Sequence, residues 1–365
     1  MSRILVSGMI AGDPHQGGAT WAVLQYVLGL RRLGHDVWFI EPVNDDFAGT
    51  EYFARVTAEF GLADRAAVLR MGTRETIGVP YSAFPRADIL LNISGMLTDQ
   101  DLTGGIPVRV YLDIDPAFNQ LWHTAQGIDT RFDGHTHFVT VGQAIGDPEC
   151  PVPTCGRRWI PTFQPIVLEH WPVASGIRYD ALTTVGNWRG YGSIEYKGVF
   201  YGQKAHSLRQ FMSLPTLTSE KFVLALSIHA GEAGDLAALA ENGWQLLNPA
   251  QVAGSPTAYR EFIQQSRAEF GIAKSGYVAS RCGWFSDRSV CYLASGRPVV
   301  AQETGFSRFL PTGNGLFAFR TSEDVLAAID AIRADYRRHC EAARALAEAY
   351  FASDKVLARL LESVT

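Results

Sequence analysis

Short runs of apolar residues alternate along the chain with longer segments in which apolar residues recur every three or four positions. The first run, Arg3–Ser7, has no polar alternation, as expected for a strand buried on both faces of a parallel sheet. A glycine-rich turn follows it. Residues 19–33 then show helical periodicity up to Gly34, and residues 36–40 form the next apolar run. The pattern predicts a βαβ unit with a right-handed crossover.

The same alternation continues to the end of the chain and is interrupted once. Between residues 147 and 172 prolines stand at 148, 151, 153, 161, 165 and 172, a spacing that disfavours helix and most sheet. We interpret this passage as a linker or hinge. Further strands are predicted at 66–69, 89–93, 108–113, 138–141, 182–185, 222–228, 245–247, 270–273, 298–302 and 316–319. Helices are predicted near 204–212, 235–241, 257–266 and 286–294, and two or three more in 323–361.

This order of elements predicts an α/β protein with two Rossmann-like domains that face each other across a cleft. We place the first domain at residues 1–168, the second at 169–345, and a closing C-terminal helix at 346–365. Ligands of such sheets bind at the carboxyl ends of the strands. The glycine-rich and polar segments that follow the strands are therefore where binding and chemistry are expected.

Composition narrows the class of protein. Of 365 residues, 47% are hydrophobic and 19% are charged, which is typical of a folded globular chain. The net charge of -5 argues against a protein that coats nucleic acid through a broad basic face. The five cysteines are scattered, which suggests reduced thiols, and Cys150 and Cys155 have no nearby partners for a metal site. With no apolar run of about 18 residues and no signal-peptide pattern, we expect a cytoplasmic protein.

The first turn, residues 8–18, combines glycines with two candidate catalytic residues. Glycines let the backbone approach a ligand closely, and the start of the following helix offers free amide donors. His15 is a candidate base for an acceptor hydroxyl, and Asp13 stands beside it. The alternative is a histidine that only caps the turn. The turn has no Gly-x-Gly, and the only acid close after the second strand is Glu41, so it differs from a dinucleotide fingerprint.

A pair of carboxylates stands at the end of a predicted strand in the middle of the first half. Asp113 and Asp115 are two residues apart, so on a strand they share a face, and their repulsion can raise one pKa toward that of a general base. The pair could also bind a cation, although one Asp pair is a weak metal signal. The simplest alternative is that Asp115 caps the turn before Pro116.

Two segments of the second half suit a phosphorylated ligand. Residues 186–198 place Arg189 and Lys197 in a glycine-rich loop after a strand, an arrangement that suits binding of a diphosphate. The alternative is that these residues form a solvated hairpin tip whose charges have no role. Residues 271–307 carry the stronger signal, because Ser286 is a good N-cap for a helix whose first amides can meet a phosphate. The residues predicted to bind the donor in this segment are Lys274, Ser286, Asp287, Arg288, Ser289, Glu303, Thr304, Gly305 and Phe306.

These motifs resemble those of a known family. The segment Ala-Ser-Gly296-Arg-Pro-Val-Val-Ala, followed by a polar turn with Gly305, resembles the donor-binding segment of GT-B glycosyltransferases. Gly17 and Gly18, before the helix that ends at Gly34, resemble the opening of their acceptor domain. The resemblance covers nearly the whole chain in the right order. It implies transfer of a sugar from a nucleoside diphosphate sugar to an acceptor hydroxyl, with Gly17 and Gly18 on the acceptor side.

One departure from that family affects the expected mechanism. Retaining members carry two acids on and before the donor helix, where this chain has Cys291 and Trp284. His15 resembles the base of inverting members, whereas Gly17 and Gly18 resemble the retaining members. Of the two we expect an inverting transferase, with His15 or an aspartate as base. Basic residues and helix amides that stabilise the diphosphate imply a reaction with no metal and no cofactor.

Other functions on the same architecture stay open at this point. A nucleotide-sugar epimerase would use the same donor pocket without an acceptor, and the missing acids would also suit a nucleotide-sugar-binding protein without activity. An NAD-dependent dehydrogenase would need a fingerprint that this chain lacks. The expected acceptor is a small molecule, with a nucleic acid or a protein as alternatives.

Overall fold

Eight strands from the first half of the chain form one sheet in the computed structural model, which describes residues 1–44 and 49–365. The strands are β1 (Arg3–Ser7), β2 (Asp36–Val43), β3 (Ala66–Arg70), β4 (Thr76–Gly78), β5 (Ile89–Ile93), β6 (Val108–Asp113), β7 (His137–Thr140) and β8 (Trp159–Pro161). Their order is β4-β3-β2-β1-β5-β6-β7-β8, and neighbours run parallel except β4, which is antiparallel to β3. The apolar strand β1 therefore lies inside the sheet.

The second half forms a six-stranded parallel sheet and a separate hairpin. The strands are β9 (Tyr179–Asn187), β10 (Ile194–Tyr196), β11 (Val199–Tyr201), β12 (Phe222–Ser227), β13 (Gln245–Leu246), β14 (Ser266–Gly271), β15 (Val299–Gln302) and β16 (Leu316–Phe319). The sheet order is β13-β12-β9-β14-β15-β16. The antiparallel pair β10–β11 lies outside it and packs against the first half.

Helices connect the strands of both sheets. They are α1 (Gly17–Arg32), α2 (Thr50–Glu59), α3 (Gln100–Thr103), α4 (Phe118–Gln126), α5 (Lys204–Leu208), α6 (Ala233–Glu241), α7 (Pro249–Ala253), α8 (Pro256–Gln264), α9 (Ser275–Ser280), α10 (Asp287–Ala294), α11 (Ser322–Ala334), α12 (Tyr336–Leu346) and α13 (Ser353–Val364). The amphipathic tail thus forms three helices, and the last of them, α13, returns to pack on α1. None of the helices in the described part of the chain is both long and apolar enough to cross a membrane.

The predicted fold class is confirmed, and the differences lie in single elements. The proline-rich passage contains β8, which is tolerated because it is an edge strand and needs pairing on one side only. The strand predicted at residues 270–273 is β14, which begins earlier, at Ser266. The strand also carries Arg267 and Glu269, so the apolar pattern marks only its end. The loop predicted around Lys197 is the turn of the β10–β11 hairpin.

The first turn of α1 packs directly on the second half of the chain. A Cβ atom at Gly17 would lie 2.2 Å from the carbonyl oxygen of Ser255 and 2.6 Å from that of Ala253. One turn later, the indole Nε1 of Trp21 donates a hydrogen bond of 2.8 Å to the carbonyl oxygen of Pro256. Gly17 is therefore required because two backbone segments approach too closely for any side chain.

We expect Gly17→Ala to destabilise the protein by about 1–3 kcal/mol, as overpacking does at closely packed sites. Gly234→Ala is the matched control, since Gly234 lies in α6 and an added Cβ meets nothing within 4 Å. In that helix, alanine should be neutral or stabilising by up to about 1 kcal/mol. Chemical denaturation of both variants measures the effect. Equal stability of the two variants would show that the two halves separate easily at this contact.

Candidate functional site

A cavity of about 670 Å³ lies between the two sheets. From the first half it receives the turn after β1, and from the second half the segments that follow β9, β12 and β13, together with the start of α10. Its lining consists of residues 13–19, 185–187, 226–228, 236, 246–250, 253, 259, 287 and 288. The cavity thus occupies the position predicted for a ligand site, at the carboxyl ends of parallel strands.

One wall of the cavity is apolar. Leu226, Ile228, Leu236, Leu246 and Leu247 all line it. Leu246 keeps 39% of its surface exposed, so its side chain is available to a ligand rather than sealed in the core. Apolar surface of this kind suits a heterocyclic base, while polar groups elsewhere fix the orientation of the ligand.

Two buried cations converge on Gly186, at the end of β9. The Nζ of Lys204 lies 3.0 Å from the point where a Cβ at Gly186 would stand, and Nη1 of Arg288 lies 3.9 Å from the same point. Gly186 has φ +150°, and both it and Arg288 line the cavity. A glycine here leaves the space beside the two cations open. Arg288 lines the cavity and Lys204 does not, so an anionic group at this end would meet Arg288 first, with Lys204 beside Gly186 as the second cation.

The two cations differ in their own partners. Arg288 is 8% exposed and its Nε lies 2.6 Å from Oε1 of the fully buried Glu269. No carboxylate of the described residues lies within ion-pair distance of Lys204. Burial lowers the pKa of Lys204 well below its usual value, and the positive charge of Arg288 adds to this. An anionic ligand beside Lys204 would favour its charged form and so oppose this shift.

Helix starts add donors to the same cavity. Gln16, at the N-cap of α1, makes no side-chain capping bond, the first turn of α1 contains no acid, and residues 16–19 line the cavity. Ser286 occupies the N-cap position of α10 as predicted, although its hydroxyl makes no capping bond. The first amides of a helix have no partner within the helix, so those of α1 are free to meet negative charge. At α10, by contrast, the backbone N–H groups of Asp287 and Arg288 donate to the carboxyl of Asp287.

Glu41 holds the first turn and was not identified as a site residue from the sequence. Its buried carboxylate accepts hydrogen bonds of 2.8, 2.7 and 2.7 Å from the backbone N–H groups of Ile10, Ala11 and Gly12. Burial raises the pKa of Glu41, and these three hydrogen bonds oppose the shift. The Glu41 carboxylate thus occupies backbone N–H groups of the kind that bind the diphosphate in a dinucleotide-binding turn. In the sequence, the feature that could have indicated this role of Glu41 is an acid next to an apolar strand.

Asp13 and His15 lie at the cavity, as the sequence predicted for candidate catalytic residues. Both line it. His15 is exposed, has φ +64°, and places its ring centroid 5.0 Å from that of Tyr52. Asp13 is half-buried, and burial raises its pKa. Both side chains can therefore meet a ligand that enters from solvent.

Asp113 lies inside the first half and does not line the cavity. It is fully buried, and its carboxylate accepts hydrogen bonds from Asn119 (2.7 Å), Gln120 (2.8 Å) and Thr140 (2.8 Å), and from the backbone N–H of Asp115 (3.1 Å). Burial raises its pKa to about 6, against the effect of these hydrogen bonds. With four donors already bound, Asp113 organises the end of β6.

Asp115 and Lys274 connect the two halves. Lys274 Nζ lies 3.2 Å from both carboxylate oxygens of Asp115, and the hydroxyls of Tyr191 and Tyr277 donate to the same carboxylate. The ammonium group also lies 5.0 Å from the ring centroid of Phe118. Neither Asp115 nor Lys274 lines the cavity, and in this structure the two form an ion pair between the two halves.

The remaining predicted donor residues lie apart from the cavity. Arg189 forms an ion pair with Glu232, and Lys197 lies at the hairpin turn over the ring of Tyr196. The loop that contains Glu303 and Gly305 borders another cavity, of about 490 Å³. Of the predicted residues, the cavity between the sheets brings together Asp13, His15, Gly17, Gly18, Asp287 and Arg288. It does not include Ser286, Ser289, Thr304 or Phe306 in its lining.

Solved structures share this fold over the whole chain. An α-glucosyltransferase in complex with UDP and a 13-mer DNA that contains a central A:G mismatch matches with a TM-score of 0.62 at 12% identity, covering 100% of both chains. HepE of Anabaena, in complex with UDP and glucose, matches with a TM-score of 0.59 at 13% identity, again over 100% of both chains. A sucrose-phosphate synthase from Thermosynechococcus elongatus matches with a TM-score of 0.58 at 13% identity, also over 100% of both chains.

The sequence itself has no match among protein-family models and none among curated proteins. At 12–13% identity the structural likeness establishes the fold and not the activity. The chain has the GT-B glycosyltransferase fold, which confirms the fold that the sequence motifs implied.

Proposed function

We propose that this protein is a glycosyltransferase that takes a sugar from a UDP-sugar donor bound in the cavity between the two sheets. The observation that carries this proposal is the convergence of Lys204 and Arg288 on Gly186, at one end of a cavity whose other wall is apolar. An anionic group at the cations and a base on the leucine wall together describe a nucleoside diphosphate. Uracil is the proposed base because structures with the same fold contain UDP.

The two cations are placed to assist departure of the diphosphate. Negative charge grows on the leaving group during sugar transfer, so fixed positive charge next to it stabilises the transition state more than the ground state. Lys204 and Arg288 are 8% exposed each, and a poorly solvated charge acts more strongly than one in water. Because Arg288 carries a positive charge and an anionic ligand favours the charged form of Lys204, we propose that transfer proceeds without a metal ion or cofactor.

The turn after β1 supplies the candidate base on the opposite side of the cavity. His15 and Asp13 both face the space that an acceptor would enter, and an imidazole near neutral pH is well suited to accept a hydroxyl proton. An inverting transferase needs such a base on the face of the sugar away from the diphosphate. We therefore retain His15, with Asp13 beside it, as the proposed base. A small hydroxyl-bearing molecule remains the proposed acceptor.

Calorimetric titration with UDP, GDP, TDP and NAD tests the donor proposal directly. We expect UDP to bind and NAD to give no heat, and a ligand present at about 100 times its Kd should stabilise the fold by about 2.7 kcal/mol. Release of UDP from UDP-glucose in the presence of candidate acceptors then tests the transfer. Failure of every nucleoside diphosphate to bind would overturn the proposal. Binding of UDP-sugars without any release of UDP would favour a nucleotide-sugar-binding protein.

A further inference from the structure

A second cavity, of about 490 Å³, lies at the carboxyl ends of β15 and β16 and is called the β15–β16 cavity below. It is lined by the loop after β15, by the end of α9, and by Glu149 of the first half of the chain. It shares no lining residue with the cavity between the two sheets. The carboxyl ends of parallel strands are where ligands of such sheets bind, so this cavity has the position of a second ligand site.

Three arginines line the β15–β16 cavity, and they differ in their partners. Nη2 of Arg308 lies 3.1 Å from Oδ2 of Asp147. Nη2 of Arg320 lies 3.6 Å from Oε2 of Glu303. The side chain of Arg281, by contrast, makes no ion pair, hydrogen bond or cation–π contact with residues 1–44 or 49–365. One guanidinium of this cavity therefore keeps all of its N–H donors for a ligand.

The backbone of Arg281 has the left-handed conformation, with φ +46° and ψ 34°, at the C-cap of α9. Glycine and asparagine adopt this conformation at a lower cost in free energy than other residues do. Arginine is thus not the residue that this helix end favours, and no contact of its side chain within the described structure offsets the cost. A ligand bound to the guanidinium would supply the missing contact.

The last residue of β15 adds an amide donor to the same cavity. Gln302 is 5% exposed, and its Oε1 accepts a hydrogen bond of 3.1 Å from the backbone N–H of Ala273. This bond determines the orientation of the amide, so Nε2 is the atom that remains for another partner. No residue of the described chain accepts a hydrogen bond from it. Because Gln302 lines the cavity, an acceptor there would complete the pairing of this side chain.

The two carboxylates of the lining leave room for an anion. Oε1 of Glu303 accepts a hydrogen bond of 2.6 Å from the backbone N–H of Gly305, and its Oε2 faces Arg320. Both of its oxygens therefore have partners already. Glu149 is exposed, so water and salt screen its repulsion of an anion. Arg281 and Gln302 offer only donors to the cavity, and their common partner must therefore be an acceptor.

We propose that the β15–β16 cavity binds the oxyanion of a small molecule, a phosphate or a carboxylate group, through the guanidinium of Arg281 and Nε2 of Gln302. An oxyanion accepts several hydrogen bonds at once, and both groups match the planar fork of a guanidinium. A volume of about 490 Å³ lies in the usual range of small-molecule sites, about 300–1,000 Å³, and so has space for the molecule that carries the oxyanion. The inference goes beyond the proposed function and does not depend on it.

Titration of inorganic phosphate and of acetate tests the site on wild type and Arg281→Asn. Asparagine suits the left-handed backbone, so the variant should be at least as stable as the wild type in thermal unfolding. We expect the affinity for at least one of the two anions to fall about tenfold or more, since hydrogen bonds to charged groups are lost. The anion that is affected distinguishes a phosphate ligand from a carboxylate ligand.

Arg131→Asn is the matched control. Arg131 is also exposed and also has a positive φ, of +59°, and it lines neither cavity. Gln302→Glu is a second variant of the site, because a carboxylate can still accept from the backbone N–H of Ala273 while Nε2 is replaced by an oxygen. We expect Arg131→Asn to bind both anions like the wild type and Gln302→Glu to bind the affected anion more weakly.

Phosphate can also bind at Arg288, in the cavity between the sheets, so the dependence on Arg281 identifies the site. Equal affinity of wild type, Arg281→Asn and Gln302→Glu for both anions would overturn the inference and leave the proposed donor site unaffected. Absence of any binding of either anion to the wild type at millimolar concentration would overturn it as well. Binding that depends on Arg281 would support it whether or not UDP binds, because the two cavities share no residue.

Discussion

Replacing Lys204 with methionine will weaken UDP binding about 10- to 150-fold and leave the protein at least as stable as the wild type. Hydrogen bonds to charged groups contribute about 1.5–3 kcal/mol each, which sets the expected loss. The unliganded protein gains because methionine has a similar shape and no buried charge, whereas burial already lowers the pKa of Lys204 well below its usual value. Calorimetry with UDP and thermal unfolding at pH 7 measure the two effects.

The same lysine makes binding dependent on pH. Because its native pKa lies below that of the unfolded chain, the unfolded state binds more protons in the interval between the two values, and stability rises with pH there. UDP favours the charged lysine, so UDP affinity should fall as pH rises through the native pKa of Lys204. In Lys204→Met, the part of the pH dependence of stability and of UDP affinity that comes from Lys204 should be absent.

Two other lysines serve as comparisons for Lys204→Met. Lys221 is exposed just before β12, and Lys221→Met should change neither UDP affinity nor stability. Lys197→Met tests the sequence prediction against the structure. Lys197 lies at the hairpin turn over the ring of Tyr196, whereas Lys204 lies beside the cavity residue Gly186. A loss of UDP affinity in Lys197→Met, with none in Lys204→Met, would contradict the proposed diphosphate site.

Replacing Arg288 with methionine will destabilise the protein by about 3–5 kcal/mol. The guanidinium is the ion-pair partner of Glu269, which is fully buried in β14, and its loss leaves an unpaired carboxylate in the core. The double variant Arg288→Met, Glu269→Met should recover most of this stability, because buried ion pairs are often replaced by apolar residues at little cost. Denaturant unfolding of wild type, single and double variants measures the coupling.

The double variant also separates the structural role of Arg288 from its proposed binding role. It should fold well and still bind UDP more weakly than the wild type, because the guanidinium beside Gly186 is gone. Full UDP affinity in the double variant would show that Arg288 serves the core alone. Wild-type stability of the single variant would show that Glu269 finds another partner or takes up a proton.

Local pattern was sufficient to predict most of the two sheets. Buried parallel strands such as Arg3–Ser7 and Ile89–Ile93 are short continuous apolar runs, and their chemistry leaves few other conformations. Strands with polar residues were harder to predict. β14 begins with Ser266 and contains Glu269, whose charge is tolerated only because Arg288 reaches it from α10. A partner that lies 19 residues away in sequence leaves no local signal.

The candidate site was predicted in part. The turn with Asp13 and His15 and the start of α10 could be located, because a glycine-rich segment or an N-cap next to a strand is a local feature. The prediction that Asp113 and Asp115 share a face assumed that both lie on one strand. Strand β6 ends at Asp113, so the alternation of side chains does not extend to Asp115. Beyond that point, Asp115 turned to Lys274 of the other half.

The sequence by itself determined the two-sheet α/β architecture and the turns where a ligand would bind, because these follow from hydrophobic burial and from backbone chemistry within a few residues. Only the tertiary structure decided which charged groups meet. The β10–β11 hairpin carries Lys197 away from the cavity, and Lys204, the first residue of α5, comes to Gly186 together with Arg288. Such meetings depend on long-range packing, in which residues distant in sequence share one buried space, and no local pattern records them.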